Sequence, residues 1–277
     1  PETEESVDGL GTRQVAGVGF QDVQGGHIQG SAVTVNGTVT AAGTGVITLG
    51  DSDTGVAIAS NATIGGTSTG AITLGAATLV DGATLTVGTG IANTISLSSV
   101  SGTAAGTTSH LTINTTGAAT ISGAVGTDIG TITITNSGGT TFSSTVDAAT
   151  VAITSTSLNN AVTFNGNLNL TSGMTVGAGA AAYNVAINGS SNTIAGTTTF
   201  SNTGTVALGN GGDSFTFDGG LTSTAGTTTL GGSVATSNDA ISLAAVSLAA
   251  NSSLLSGSAT IGISGAVSGA GSTLALQ

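Results

Sequence analysis

Few residues in this chain carry reactive groups, so their spacing decides what chemistry is open to it. GTSTG at 66–70 fits the G-x-S-x-G pattern and puts Ser68 where a nucleophile would stand. That pattern works on a strand-to-helix elbow with a histidine and an acid nearby; no helix follows here, and a glycine-flanked turn is the plainer reading. GAGAAA at 177–182 imitates a G-x-G-x-x-A dinucleotide loop. Such a loop needs a βαβ unit to set phosphate at a helix N-terminus, and AYNVAING continues as strand instead. Asp51 and Asp53 in GDSDTG pair carboxylates in a way that suits Ca²⁺, a hard cation that takes oxygen ligands. LGNGGDSFTF at 208–217 matches a calcium β-roll nonapeptide at Gly209, Gly211, Asp213 and Phe215, but lacks the first glycine and occurs once, where such sites use stacked copies. Asp51, Asp53 and Asp213 are thus the metal candidates, for Ca²⁺, with Asx turns as the simpler account of both stretches. No other cofactor is expected. His27 and His110 are isolated, with no second ligand at a metal spacing.

The elements that would position these residues follow from composition. Of 277 residues, 47 are Gly, one is Pro and none is Cys, and 38% are apolar. The helix formers Glu, Lys, Gln, Arg and Met are almost missing while Thr, Val and Ile abound, which favours extended chain. Mean hydropathy of +0.42 argues against disorder, which needs low hydrophobicity and high charge. The formal net charge of −12 comes from 13 acids against one base, Arg13. A nucleic-acid partner is excluded, since phosphate affinity requires clustered Lys and Arg, and electrostatic attachment to anionic lipid fails for the same reason. No run of 18 apolar residues is present, so no helical transmembrane segment is expected. The start at Pro1, on the acidic PETEES, reads as a mature end left by signal cleavage or as a fragment boundary.

Internal repeats dominate the chain. TFNGNL at 163–168 returns as TFDGGL at 216–221, and the underlying phrase recurs as VNGTV (35–39), ISGAV (121–125 and 263–267), FSSTV (142–146) and LGGSV (230–234). VITLG at 46–50 is echoed by AITLG at 71–75 and TVALG at 205–209; TISLSSVSG at 94–102 is echoed by AISLAAVSL at 240–248. The cleanest spacing sets Ile121, Phe142 and Phe164 at intervals of 21 and 22, with Val125, Val146 and Leu168 in step. TITITN at 131–136 and ATVAITS at 149–155 alternate apolar with small polar residues, the period of a strand with one buried face.

Short strands, few aromatics and small residues nearly everywhere favour a solenoid over a sandwich. The expected fold is all-β, a parallel β-helix of about 11–12 coils of roughly 20–23 residues, a rod of roughly 55 Å at ~4.8 Å per rung. Ile121, Phe142 and Phe164 would stack in one ladder, with Asn165 and Gly166 turning a corner. Residues 31–277 would form the solenoid. Residues 1–30, with all three Glu, Arg13 and His27, would form an N-terminal arm or cap.

Residues 216–254, TFDGGLTSTAGTTTLGGSVATSNDAISLAAVSLAANSSL, resemble the degenerate Thr/Gly/Asn-rich repeats of filamentous-haemagglutinin-like and autotransporter-type bacterial surface proteins. The resemblance covers roughly 31–277 at the level of phrases. It implies a right-handed parallel β-helix, an extracellular or cell-surface location, and a role in adhesion or as a structural filament.

The scattered carboxylates have no basic helper, which weighs against polysaccharide cleavage, and no enzyme is expected. The leading expectation is an extracellular structural protein that assembles with itself into a filament, sheath or matrix, through residues 1–30 and the terminal coils. An alternative is an adhesin shaft that presents one face to glycan or host protein. A third is ice binding, for which TITIT at 131–135 and TTT at 227–229 supply threonine rows, although these do not recur at constant spacing. Asn36, Asn61, Asn114, Asn169, Asn188 and Asn251 each begin an N-x-S/T sequon.

Overall fold

The computed structural model describes residues 18–19, 23–24, 27–28, 32–104, 106–269 and 271–277. Among them there is no helix, and the strands from Ala32 onward pair in parallel with strands one coil away, giving a β-solenoid of about 11 turns. Each coil has three sides. The first coil begins with Ala32–Val35 on a first face, Thr38–Ala41 on a second and Ile47–Leu49 on a third. Gly55–Ile58 then returns to the first face and pairs with Ala32–Val35.

Strands of three or four residues suffice because each face needs only two inward side chains with one outward residue between them. The burial pattern of Ile47–Leu49, Ile72–Leu74, Ala77–Leu79 and Ile95–Leu97 is buried, exposed, buried. Successive coils bring like on like. On the third face Ile121 pairs with Phe142 and Phe142 with Phe164, as the spacing predicts, and the two rings stack at 4.8 Å with planes 3° apart. The same column runs from Leu49 through Leu74 and Leu97 to Ile187, Leu208, Leu230 and Leu248. Val125, Val146 and Leu168 stack likewise on the first face. Side-chain dispersion and apolar burial are thus repeated at every rung, each fully buried aliphatic contributing about 1.5–3 kcal/mol.

Coil length is less regular than the 20–23 residues expected. It falls to 18 between Leu230 and Leu248 and rises to 26 between Val87 and Ile113, and the corners absorb the difference while the faces stay in register. In the later coils strand continues through the corners: Val206–Phe217 serves the third and first faces, and Leu221–Ala235 all three in turn.

The repeated phrases turn out to be corner units that fit any corner. FNGNL links the third face to the first, because Phe164 pairs with Ile187 and Leu168 with Val146. FDGGL links the first face to the second, because Phe217 pairs with Ile194 and Leu221 with Thr198. Phe164 and Phe217 therefore stand in different ladders. ISGAV at 263–267 occupies the remaining corner, with Ile263 on the second face and Val267 on the third.

Within residues 1–30, Val18–Gly19 lies antiparallel on Val35 and Thr34 of the first coil, and Val23–Gln24 pairs antiparallel with His27–Ile28. The rest of that arm lies outside the described residues.

Candidate functional surface

The residues singled out for chemistry are placed in corners, where their polar atoms hold backbone. Ser68, 2% exposed, donates its hydroxyl to the Gly45 carbonyl at 2.5 Å and accepts the Gly70 N–H at 2.9 Å. It is a staple between coils. Gly177–Ala182 forms a corner rather than a helix start, and Tyr183 next to it is turned inward. Asp51 accepts the N–H groups of Asp53 and Thr54 at 2.9 and 2.8 Å, which is an Asx turn at the corner between the third and first faces. Asp213 accepts the Asn210 N–H at 2.8 Å. The strands that follow Asp51 and Asp213 on the first face are seven rungs apart, or ~34 Å, so the three candidates form no common site. Among the described residues no group of three or more His, Cys, Asp or Glu comes together. His110 Nδ1 accepts the Thr131 N–H at 3.0 Å, where the second face carries a bulge between Ser109 and Leu111.

The corner between the second and third faces holds a feature that the sequence did not announce. A buried column of small polar side chains runs along it, each reaching back to carbonyls of the preceding coil. After Ser68, Asn93 donates to the Ser68 and Gly70 carbonyls at 2.6 and 2.7 Å. Thr115 has its one hydroxyl proton within reach of the Ile91 and Asn93 carbonyls and accepts the Gly117 N–H at 2.9 Å. Thr156 donates to the Ser137 carbonyl at 2.7 Å, and Asn202 to the Tyr183 carbonyl at 2.9 Å. A corner must break the strand ladder and so leaves carbonyls without strand partners; buried, each would cost about 1–3 kcal/mol, and the column satisfies them. Further along, the corner closes without such a side chain. Gly226, at φ +72°, lies so close to the Gly204 carbonyl that no Cβ would fit. The exposed corners use a related device. Asn61 and Asn251 accept backbone N–H groups from the next coil, Asn36 accepts from the Ser60 hydroxyl, Asn169 donates to Asp147 and Asn188 to Asn165, so five of the six sequon asparagines are already engaged.

The outward surface is regular on two faces. On the second, the register aligns Thr38, Thr63, Thr86, Thr112 and Thr133, then, after Ala152, Thr175, Thr199, Thr222 and Ser242. On the third it aligns Thr48, Thr73, Ser96, Thr120, Thr141 and Thr163, with Ala186 and Ala207, then Thr229 and Ser247. Rows that are irregular in sequence are thus straight in space, because uneven coil lengths are taken up at the corners.

Among the described residues, charge is confined to the other side of the rod. Residues 32–277 contain eight carboxylates, all Asp, and neither Lys nor Arg. Asp147 stands on the first face. Asp81, Asp128, Asp218 and Asp239 lie at the corner that leads from it, and Asp51, Asp53 and Asp213 where the chain enters it. Among the described residues, the outward positions of the third face, and the whole corner between the second and third, carry no ionisable group except Tyr183. Its ring is buried, its hydroxyl donates to the Gly177 carbonyl at 2.6 Å, and burial pushes the phenol up to about 12. The loop it pins walls an open groove of about 590 Å³, floored by Ala152 and Thr175 and flanked by Thr154, Ser155 and Gly177–Ala180.

No family model matches the chain, and neither a curated protein nor a solved structure matches it.

Proposed function

We propose that this chain is a non-enzymatic structural solenoid of the cell exterior, a unit of a surface filament, sheath or matrix that associates with copies of itself. The observation that carries the reading is the fate of its polar residues. Ser68, Asn93, Thr115, Asp51 and Asp213, which by type could serve catalysis or metal binding, spend their hydrogen bonds on fastening the backbone within and between coils. The likeness of the repeats to filamentous-haemagglutinin-like and autotransporter-type proteins supports an exterior location. The outward rows of hydroxyls and methyls supply a surface with little charge to keep copies apart. Sedimentation velocity over a wide concentration range, with negative-stain microscopy of the same samples, tests it. Concentration-dependent oligomers are expected; single rods at every concentration would overturn it.

Ice binding is a second reading, favoured by the straight threonine rows on adjoining faces, whose members recur at the ~4.8 Å rung spacing. Thermal hysteresis in a freezing-point measurement is its expected outcome, and growth of ice at the equilibrium freezing point ends it. A glycan-presenting shaft gains no such support. The aromatic side chains Phe142, Phe164, Phe200, Phe215, Phe217 and Tyr183 are all buried, leaving none of them to stack on a sugar.

A further inference from the structure

We infer that two copies of the rod pair side by side through the corner between the second and third faces, with their carboxylates turned outward. This rests on the self-association proposed above and specifies which side carries it.

Charge is the first argument. With no Lys or Arg between 32 and 277, a contact through the first face or its flanking corners would set carboxylates against carboxylates with no base to offset them. Like charges juxtaposed at an interface are strongly unfavourable. The opposite corner offers an approach with no such term, and its small side chains let two backbones come close.

Relief is the second argument. Among the described residues five large apolar side chains stand out into solvent, and two of them, Val46 (47% exposed) and Leu158 (61%), are on this corner. Two others, Val267 and Leu276, belong to the last coil, so along the body of the rod this corner is the more apolar edge. Leu158 protrudes from the segment between Thr154 and Ala161, and the groove over Ala152 and Thr175 opens on the same corner between that coil and the next. A knob and a groove this close on one surface suit an isologous pair, in which each copy seats its Leu158 in the groove of the other.

Area is the third. About 11 coils give a contact ~53 Å long, and halves of two faces give a width of ~16 Å, so each copy would bury about 800 Å², the size of a stable interface.

The test is sedimentation velocity on the full chain and two charge variants. One carries Leu158→Asp and Thr175→Asp, on the proposed contact. The other carries Thr78→Asp and Thr193→Asp, on the first face. Circular dichroism melts establish that each folds. The contact variant should pair at least about tenfold more weakly than the unaltered chain, and the first-face variant within about threefold of it. If the contact variant pairs as the unaltered chain does, this interface is overturned while self-association stands. If the unaltered chain never pairs, both fall. Should the contact variant not fold, disulfide trapping takes its place, since the chain has no cysteine. A mixture of Leu158→Cys and Thr175→Cys rods should cross-link under mild oxidation well ahead of a mixture of Thr78→Cys and Thr193→Cys rods. Equal rates, or the reverse order, overturn the proposal.

Discussion

Two buried columns run along the rod and obey different rules. The apolar column on the third face passes through Leu97, Ile121, Phe142, Phe164 and Ile187, and asks only that each side chain fill its rung. The polar column one corner away passes through Ser68, Asn93, Thr115 and Thr156, and asks that each present a donor to a carbonyl of the coil before. Residue identity is loose in both, but for different reasons. The first column is selected by volume, the second by hydrogen-bond geometry. The consequence shows in threonine, which occurs buried in both settings. Thr115 both donates to carbonyl oxygen and accepts an N–H, whereas the buried hydroxyls of Thr140, in an inward column of the third face, and Thr198, in one of the second, have no partner.

The contrast can be broken first at its apolar end. Phe164→Ala removes one of two stacked rings from a rung that is 0% exposed and should cost about 3–5 kcal/mol in chemical denaturation, the range of large-to-small core changes. Next comes Tyr183, whose ring lies in the core while its hydroxyl serves the corner. Its folded pKa of about 12 lies above the unfolded value of 10, so its contribution is fully present below pH 10 and is lost as pH rises toward 12. Denaturation at pH 9 and pH 12 should differ by roughly 2 kcal/mol from this group, and Tyr183→Phe should remove that part of the dependence. Third, Thr115→Val leaves the Gly117 N–H and the Asn93 carbonyl unmatched and should cost about 2 kcal/mol. The smallest effect has the opposite sign. Thr140→Val or Thr198→Val replaces an unpartnered buried hydroxyl with a methyl of similar size and should raise stability by about 1 kcal/mol. Equal signs for Thr115→Val and Thr140→Val would dissolve the distinction between the columns.

What was legible in the sequence divides along the same line. Volume leaves a trace, since a bulky residue at a fixed interval is rare enough to notice. Ile121, Phe142 and Phe164 were therefore placed in one ladder, and the all-β solenoid followed from them. Donor geometry leaves almost none. Ser, Thr and Asn occur throughout the chain, so Ser68 and Asn93 could not be told from surface residues until coils of unequal length were laid on one another. The same unequal lengths hid the threonine rows, whose members lie 18 residues apart at Thr229 and Ser247 and 26 apart at Thr86 and Thr112. Asp51 and Asp213 were visible as carboxylates among glycines, but sequence alone does not distinguish an Asx turn from a ligand set, because both place a carboxylate beside backbone donors or acceptors in a tight loop. Charge segregation was equally hidden, since membership of a face depends on register.

The interchangeable corner has a consequence for how such a chain changes length. TFNGNL and TFDGGL are fifty-three positions apart, which is two coils and roughly a third, and both are at home because each corner accepts the same unit. A tandem duplication in the gene need not span a whole coil to be viable; cut at any two corners, it leaves a chain that can keep turning. Such a rod can be lengthened or shortened by recombination in steps of one side.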